Sequence, residues 1–164
     1  MGVYMMARLA APAVLVLIAT TLAAHAQPAD KRTWRLRTVD GQSMLSYGTD
    51  NAEDTPITFR CKPGQGVVKV FINETGAGVK PRQAMSASLI AGSVTAKLQG
   101  RTLVNEEAGT PSFDGSLPGG DPLFPALRQA KSLLMVVGPS RQQVPLRELG
   151  DKAGKFEGLC RKRA

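Results

Sequence analysis

Residues 56–73 read PITFRCKPGQGVVKVFIN, and their periodicity decides the fold class. Ile57, Phe59 and Cys61 alternate with Thr58, Arg60 and Lys62. That is the period of a half-buried β-strand, with Cys61 on the inner face. After the turn residues KPGQ, Val68, Val70 and Ile72 repeat the pattern, with Lys69 facing out. Two such runs around a Pro-Gly turn predict a hairpin.

The same reading extends in both directions. TWRLRTV and QSMLSYG flank Asp40-Gly41, a pair that favours a type I′ hairpin turn. Trp34 and Leu36 then face in, and Arg35 and Arg37 face out. AMSASLIAG and SVTAKLQG alternate as Met85, Ala87, Leu89 and as Val94, Ala96, Leu98, with Gly92 at the turn. Residues 105–121, NEEAGTPSFDGSLPGGD, are rich in Gly, Pro and acids, lack periodicity, and predict a long mobile loop. Asp121-Pro122 suits the start of a short helix over PLFPALRQAKS. LLMVV (133–137) is apolar throughout and predicts a strand buried on both faces. Pro145 in QQVPL marks an edge strand.

The chain closes on LRELGDKAGKFEGLC (146–160), where Leu146, Leu149, Ala153, Phe156 and Cys160 step by three and four residues. This is the stripe of an amphipathic helix, with Cys160 on its inner side. Glu148–Lys152, Asp151–Lys155 and Glu157–Arg161 stand at i,i+4 in the favourable order. Gly150, Gly154 and Gly158 each cost the helix about 1 kcal/mol relative to Ala. The expected architecture is a mainly-β sandwich or open barrel of about seven to nine short antiparallel strands with a C-terminal helix. The alternative is an α+β sheet with its helices on one face. No internal repeat or second domain is visible.

The N-terminus predicts export. Arg8 precedes an uncharged, mostly apolar run over 9–24, and Ala24-His25-Ala26 supplies small residues for cleavage before Gln27. Removal of the signal peptide 1–26 leaves a single disulfide-linked β-rich domain, 27–164, with no transmembrane anchor. It also removes the one histidine, His25, and one of the 21 basic residues. Twenty basic residues then stand against 13 acidic ones, a surplus of seven. In an oxidising compartment Cys61 and Cys160 can form one intramolecular bridge. In the chain-entropy model a bridge closing so long a loop contributes up to ~4.7 kcal/mol. Two free thiols or an intermolecular bridge are the rival states.

Catalytic patterns are scarce. Without His the mature chain has no Ser-His-Asp or Cys-His pair and no imidazole for zinc or haem. No nucleophile motif is present, because GQSML lacks the second Gly of an elbow. Glu106, Glu107, Asp114 and Asp121 could supply the two acids of a carboxylate hydrolase, although solvated loop acids are far commoner. DNAED (50–54) lacks calcium-loop spacing, so no metal or cofactor is expected. Asn73-Glu74-Thr75 fits a glycosylation pattern.

Charge is the remaining signal. Arg32, Arg35, Arg37, Arg60, Lys62 and Lys69 occupy outward positions, and Arg161-Lys162-Arg163 follow Cys160. Arg35, Arg37, Arg161, Lys162 and Arg163 are the expected contacts for an anionic envelope polymer, a lipid head group or an acidic protein. Nucleic acid is disfavoured, since Trp34, Tyr47 and the five Phe read as core rather than as a stacking series.

The order of TW, LSYGTDNAED, TFRCKPGQGVVKV, LLMVVG and GKFEGLC resembles that of small secreted proteins of Gram-negative bacteria. In these an early Trp precedes a strand ending in Cys, and the last helix carries the second Cys. The resemblance implies a periplasmic or secreted β-rich domain with one disulfide, and it brings no activity with it. The expected role is a non-enzymatic binding or accessory module. The alternatives are an inhibitor of an acidic secreted hydrolase and a carboxylate hydrolase.

Overall fold

A computed structural model describes residues 31–51 and 54–163; the segment read as an export signal lies outside them. β1 (Thr33–Val39) and β2 (Gln42–Gly48) form the first hairpin. Its turn has positive φ at both Asp40 (49°) and Gly41 (71°), which matches the right-handed twist of the flanking strands. β3 (Ile57–Cys61) and β4 (Val67–Ile72) pair as the sequence predicts, with Phe59 opposite Val70 and Arg60 opposite Lys69.

β5 (Ala84–Ala91), β6 (Val94–Leu103) and β7 (Ser112–Pro118) then form a meander that folds back against β4. After α1 (Leu123–Leu127), β8 (Ser132–Val137) pairs with the free side of β5, and β9 (Ser140–Pro145) pairs with β8. The result is one antiparallel sheet in the order β1-β2-β3-β4-β7-β6-β5-β8-β9, followed by α2 (Gly150–Cys160). The sheet curls into a half-barrel, so the open-barrel form holds, and among the described residues there is no second sheet to make a sandwich. Among the described residues no helix is long and apolar enough to cross a membrane.

Curling brings the two edge strands toward each other. The Trp34 indole N–H of β1 donates to the carbonyl of Pro145 in β9 at 2.8 Å. Both helices pack on the inner face, α1 toward β5 and β6 and α2 toward β1 and β2. Phe59, Phe124 and Phe156, one each from β3, α1 and α2, meet there with ring centroids 5.9–6.4 Å apart. Each is fully buried. Burying one such side chain contributes about 1.5–3 kcal/mol, which makes this triad the point where sheet and helices lock.

Cys61 and Cys160 are bridged, with Cα atoms 5.7 Å apart, and both are buried. A bridge of this kind persists where thiols are oxidised, so the folded domain belongs in an extracytoplasmic compartment. The β3–β4 turn reinforces the staple. The Gly64 and Gly66 N–H groups donate to the carbonyls of Leu159 and Cys160, and Gly119 N–H donates to Gly66.

Three expectations need correction. The segment 105–121 is not one mobile loop, because Ser112–Pro118 is β7, an interior strand between β4 and β6. The glycine of that strand, Gly115, is there for packing. Gly100 and Gly115 face each other across β6 and β7, and a Cβ on Gly100 would collide with the Asp114 carbonyl and the Phe113 ring. The bare backbone leaves room for Phe113, which is fully buried.

LLMVV is not buried on both faces either. Leu133, Met135 and Val137 face the core, and Leu134 and Val136 on the outer side are only partly buried. Finally, α2 starts at Gly150 rather than at Leu146. Glu148 has φ 67°, which breaks the helix before it, while Leu146 and Leu149 still reach the core from the preceding turns. As a consequence Lys152 Nζ bonds the Glu148 carbonyl (2.7 Å) instead of making the expected carboxylate pair.

Candidate functional site

Strand alternation places Arg35 and Arg37 on the outer face of β1, beside Met44 and Ser46 of β2. The next strand continues both rows. Arg60 lies opposite Met44 and Thr58 opposite Ser46. On β4, Lys69 lies opposite Arg60 and Phe71 opposite Thr58. A shallow groove of about 400 Å³ runs along this face, with Arg35, Arg37 and Arg60 as cations, Met44 and Phe71 as apolar floor, and Ser46 and Thr58 as hydroxyls.

The electrostatics are lopsided. Arg35 Nη1 and Arg37 Nη2 both donate to Asp50 Oδ1, at 2.7 and 3.0 Å. Arg35 Nη2 also donates to the Gly48 carbonyl at 2.5 Å, which holds its guanidinium flat along the sheet. Its side chain is only 20 % exposed, whereas the Asp50 carboxylate is 90 % exposed. Two cations therefore share one solvated acid. Arg60 and Lys69 are both exposed, and among the described residues neither has an acid partner. Like charges directly opposed across strands are destabilising, so packing gives no reason for this pair.

The C-terminal residues occupy a neighbouring position. Arg161 bonds Glu157, whose carboxylate is only 6 % exposed, through Nη2 at 2.5 Å and Nε at 3.2 Å. Arg161 therefore satisfies a buried acid. Lys162 packs on Gly66 and Arg163 on Gly64, with the Arg163 N–H bonded to the Gly64 carbonyl. These glycines lie in the turn that joins the strand of Arg60 to the strand of Lys69. The tail thus extends the basic surface past the end of that hairpin. It contributes nothing to the groove wall that Arg35 and Arg37 line.

Other sequence features resolve differently. Phe71 is not core, unlike the other four Phe; it is half-buried on the outer face. Its position after Val68 and Val70 in the alternation would have placed it there. Asp50 sits in a stretch that reads as a plain polar connection, and only the fold brings it over the two arginines. The four acids of 105–121 separate onto different elements. Glu106 and Glu107 are exposed, Asp114 is on the outer face of β7, and Asp121 Oδ1 accepts the Leu123 N–H at the start of α1. Thr75 of the glycosylation pattern is fully buried and donates to the Pro111 carbonyl at 2.7 Å, and the Asn73 side chain accepts from Asn105 at 2.8 Å. That tripeptide is part of the packing between the β4–β5 connection and the approach to β7. Among the described residues no three acid, His or Cys side chains gather as a metal site.

Comparison with protein-family models, curated proteins and solved structures returned no match.

Proposed function

We propose that the chain is a periplasmic or secreted, non-enzymatic binding module whose outer sheet face holds an anionic partner. The observation that carries this reading is the row Arg37–Met44–Arg60–Lys69. Three cations on neighbouring strands face solvent, two of them directly opposed, with the single carboxylate of Asp50 shared by Arg35 and Arg37. Such a row costs stability in the free protein and gains it when an anion binds. Lys162 and Arg163 extend the same surface from the β3–β4 turn.

Affinity capture from periplasmic extract, repeated at low and high salt, tests the reading. Partners should bind at low salt and elute as salt rises, because exposed charges are screened within about 8–10 Å at physiological ionic strength. Joint replacement of Arg37 and Arg60 by Gln should abolish capture without lowering the unfolding midpoint, since it removes the repulsion between Arg60 and Lys69. Capture that resists high salt, or that survives the double replacement, would show that the basic face is only solubilising.

A further inference from the structure

Resting on that binding reading, we propose that the groove takes an extended acidic polypeptide segment, and that the Asp50 carboxylate is an internal occupant which the segment's own carboxylate displaces from Arg35 and Arg37.

The chemistry of the first subsite is already on display. One side-chain carboxylate oxygen, Asp50 Oδ1, accepts from two guanidinium groups, at 2.7 and 3.0 Å. Arg35 is pre-set for that task by its bonds to the Gly48 carbonyl and to Thr33 Oγ1. Asp50 itself is 90 % exposed. An ion pair on so solvated an acid is weak and exchangeable, so an incoming carboxylate competes on nearly equal terms and adds its own neighbouring contacts.

The second subsite is empty of acid. Arg60 and Lys69 are directly opposed and unneutralised by any described acid. Arg37 and Arg60 lie in one row with one strand between them. Strands are about 4.8 Å apart, so the two cations stand about 10 Å apart at the backbone. Three residues of a polyproline-II segment span that distance while returning the side chain to the same face, at three residues per turn and about 3.1 Å each. Acids at every third position would meet both subsites. The residues between them would lie over Met44 and Phe71, with Ser46 and Thr58 available to polar groups. A uniformly charged polymer leaves the apolar floor unused, whereas a polypeptide alternates charge and apolar side chains at this spacing.

The test uses the disulfide-bonded protein and a labelled eight-residue peptide with Asp at every third position and Leu between, followed by fluorescence anisotropy. Comparators are the same peptide with its acids adjacent, phosphatidylglycerol vesicles and polyphosphate. The spaced peptide should bind best. Asp50→Asn should tighten it about three- to ten-fold, the equivalent of one or two exposed ion pairs. Arg60→Gln should weaken it by a similar factor, and Asp50→Ser repeats the first variant with a different side chain. If both Asp50 variants unfold like the parent protein and bind no more tightly, Asp50 is not a displaced occupant and the inference fails. Binding to vesicles or polyphosphate without binding to the peptide overturns the polypeptide assignment and leaves the anion-binding reading standing. No binding to any probe at low salt overturns both.

Discussion

The two faces of the one sheet obey different rules. On the inner face every strand contributes apolar side chains to a sealed core, closed by Phe124, Phe156 and the Cys61–Cys160 bridge. Each residue there is explained by what it touches. On the outer face of β1–β4, Arg37, Arg60 and Lys69 lie in one row beside Met44; Arg37 is held by Asp50, but the packing of the free protein gives no reason for the opposed Arg60 and Lys69. The contrast teaches where to look for function. Where burial accounts for a residue its role is stability, and where like charges persist against their own repulsion a partner is the better account.

The contrast can be broken by experiment. Phe156→Ala should cost the most, about 3–5 kcal/mol in urea unfolding, because it empties the centre of the inner aromatic triad. Phe71→Ala on the outer face should cost well under half of that; equal losses would erase the distinction between the faces. Replacing Cys61 and Cys160 together by Ala should lower stability by about 2–4 kcal/mol, and alkylation of the native protein without reduction should label neither cysteine.

Smaller effects sharpen the same comparison. Gly100→Ala on the inner face should cost about 1–3 kcal/mol by forcing the Phe113 ring and the β7 backbone aside. Gly158→Ala on α2 should instead stabilise by up to about 1 kcal/mol, since a Cβ there meets nothing. The smallest change is the most telling. Lys69→Glu should raise stability by about 0.2–1 kcal/mol, because an opposed pair of cations becomes an ion pair with Arg60. The same variant should lose anionic partners. A variant that is more stable and binds less would separate the two faces by function.

Truncation after Cys160 is a poorer probe of the basic tail than its exposure suggests. It would strip the buried Glu157 carboxylate of its guanidinium partner and remove the Arg163–Gly64 bond, so stability and binding would change together. Lys162→Gln with Arg163→Gln leaves the Arg161–Glu157 ion pair and the Arg163 N–H bond to Gly64 in place and isolates the charge.

Local periodicity alone determined the hairpins β1–β2, β3–β4 and β5–β6, the inward direction of Trp34, Phe59, Cys61 and Cys160, and the outward direction of Arg35, Arg37, Arg60 and Lys69. These are short-range consequences of a two-residue strand repeat and of a helical stripe, and a single chain segment carries them. Only the tertiary structure decided that Ser112–Pro118 is an interior strand, that Gly115 must face Gly100, and that Asp50 sits over Arg35 and Arg37. The reason is physical. Phe113, Gly115 and Leu117 do alternate with Asp114 and Ser116, but the glycine at the central inner position and the flanking Pro111 and Pro118 give the segment the composition of a loop, and the cause of that glycine is its close approach to Gly100 on another strand. The meeting of an exposed loop acid with two strand arginines likewise depends on register and curl, which no local pattern records.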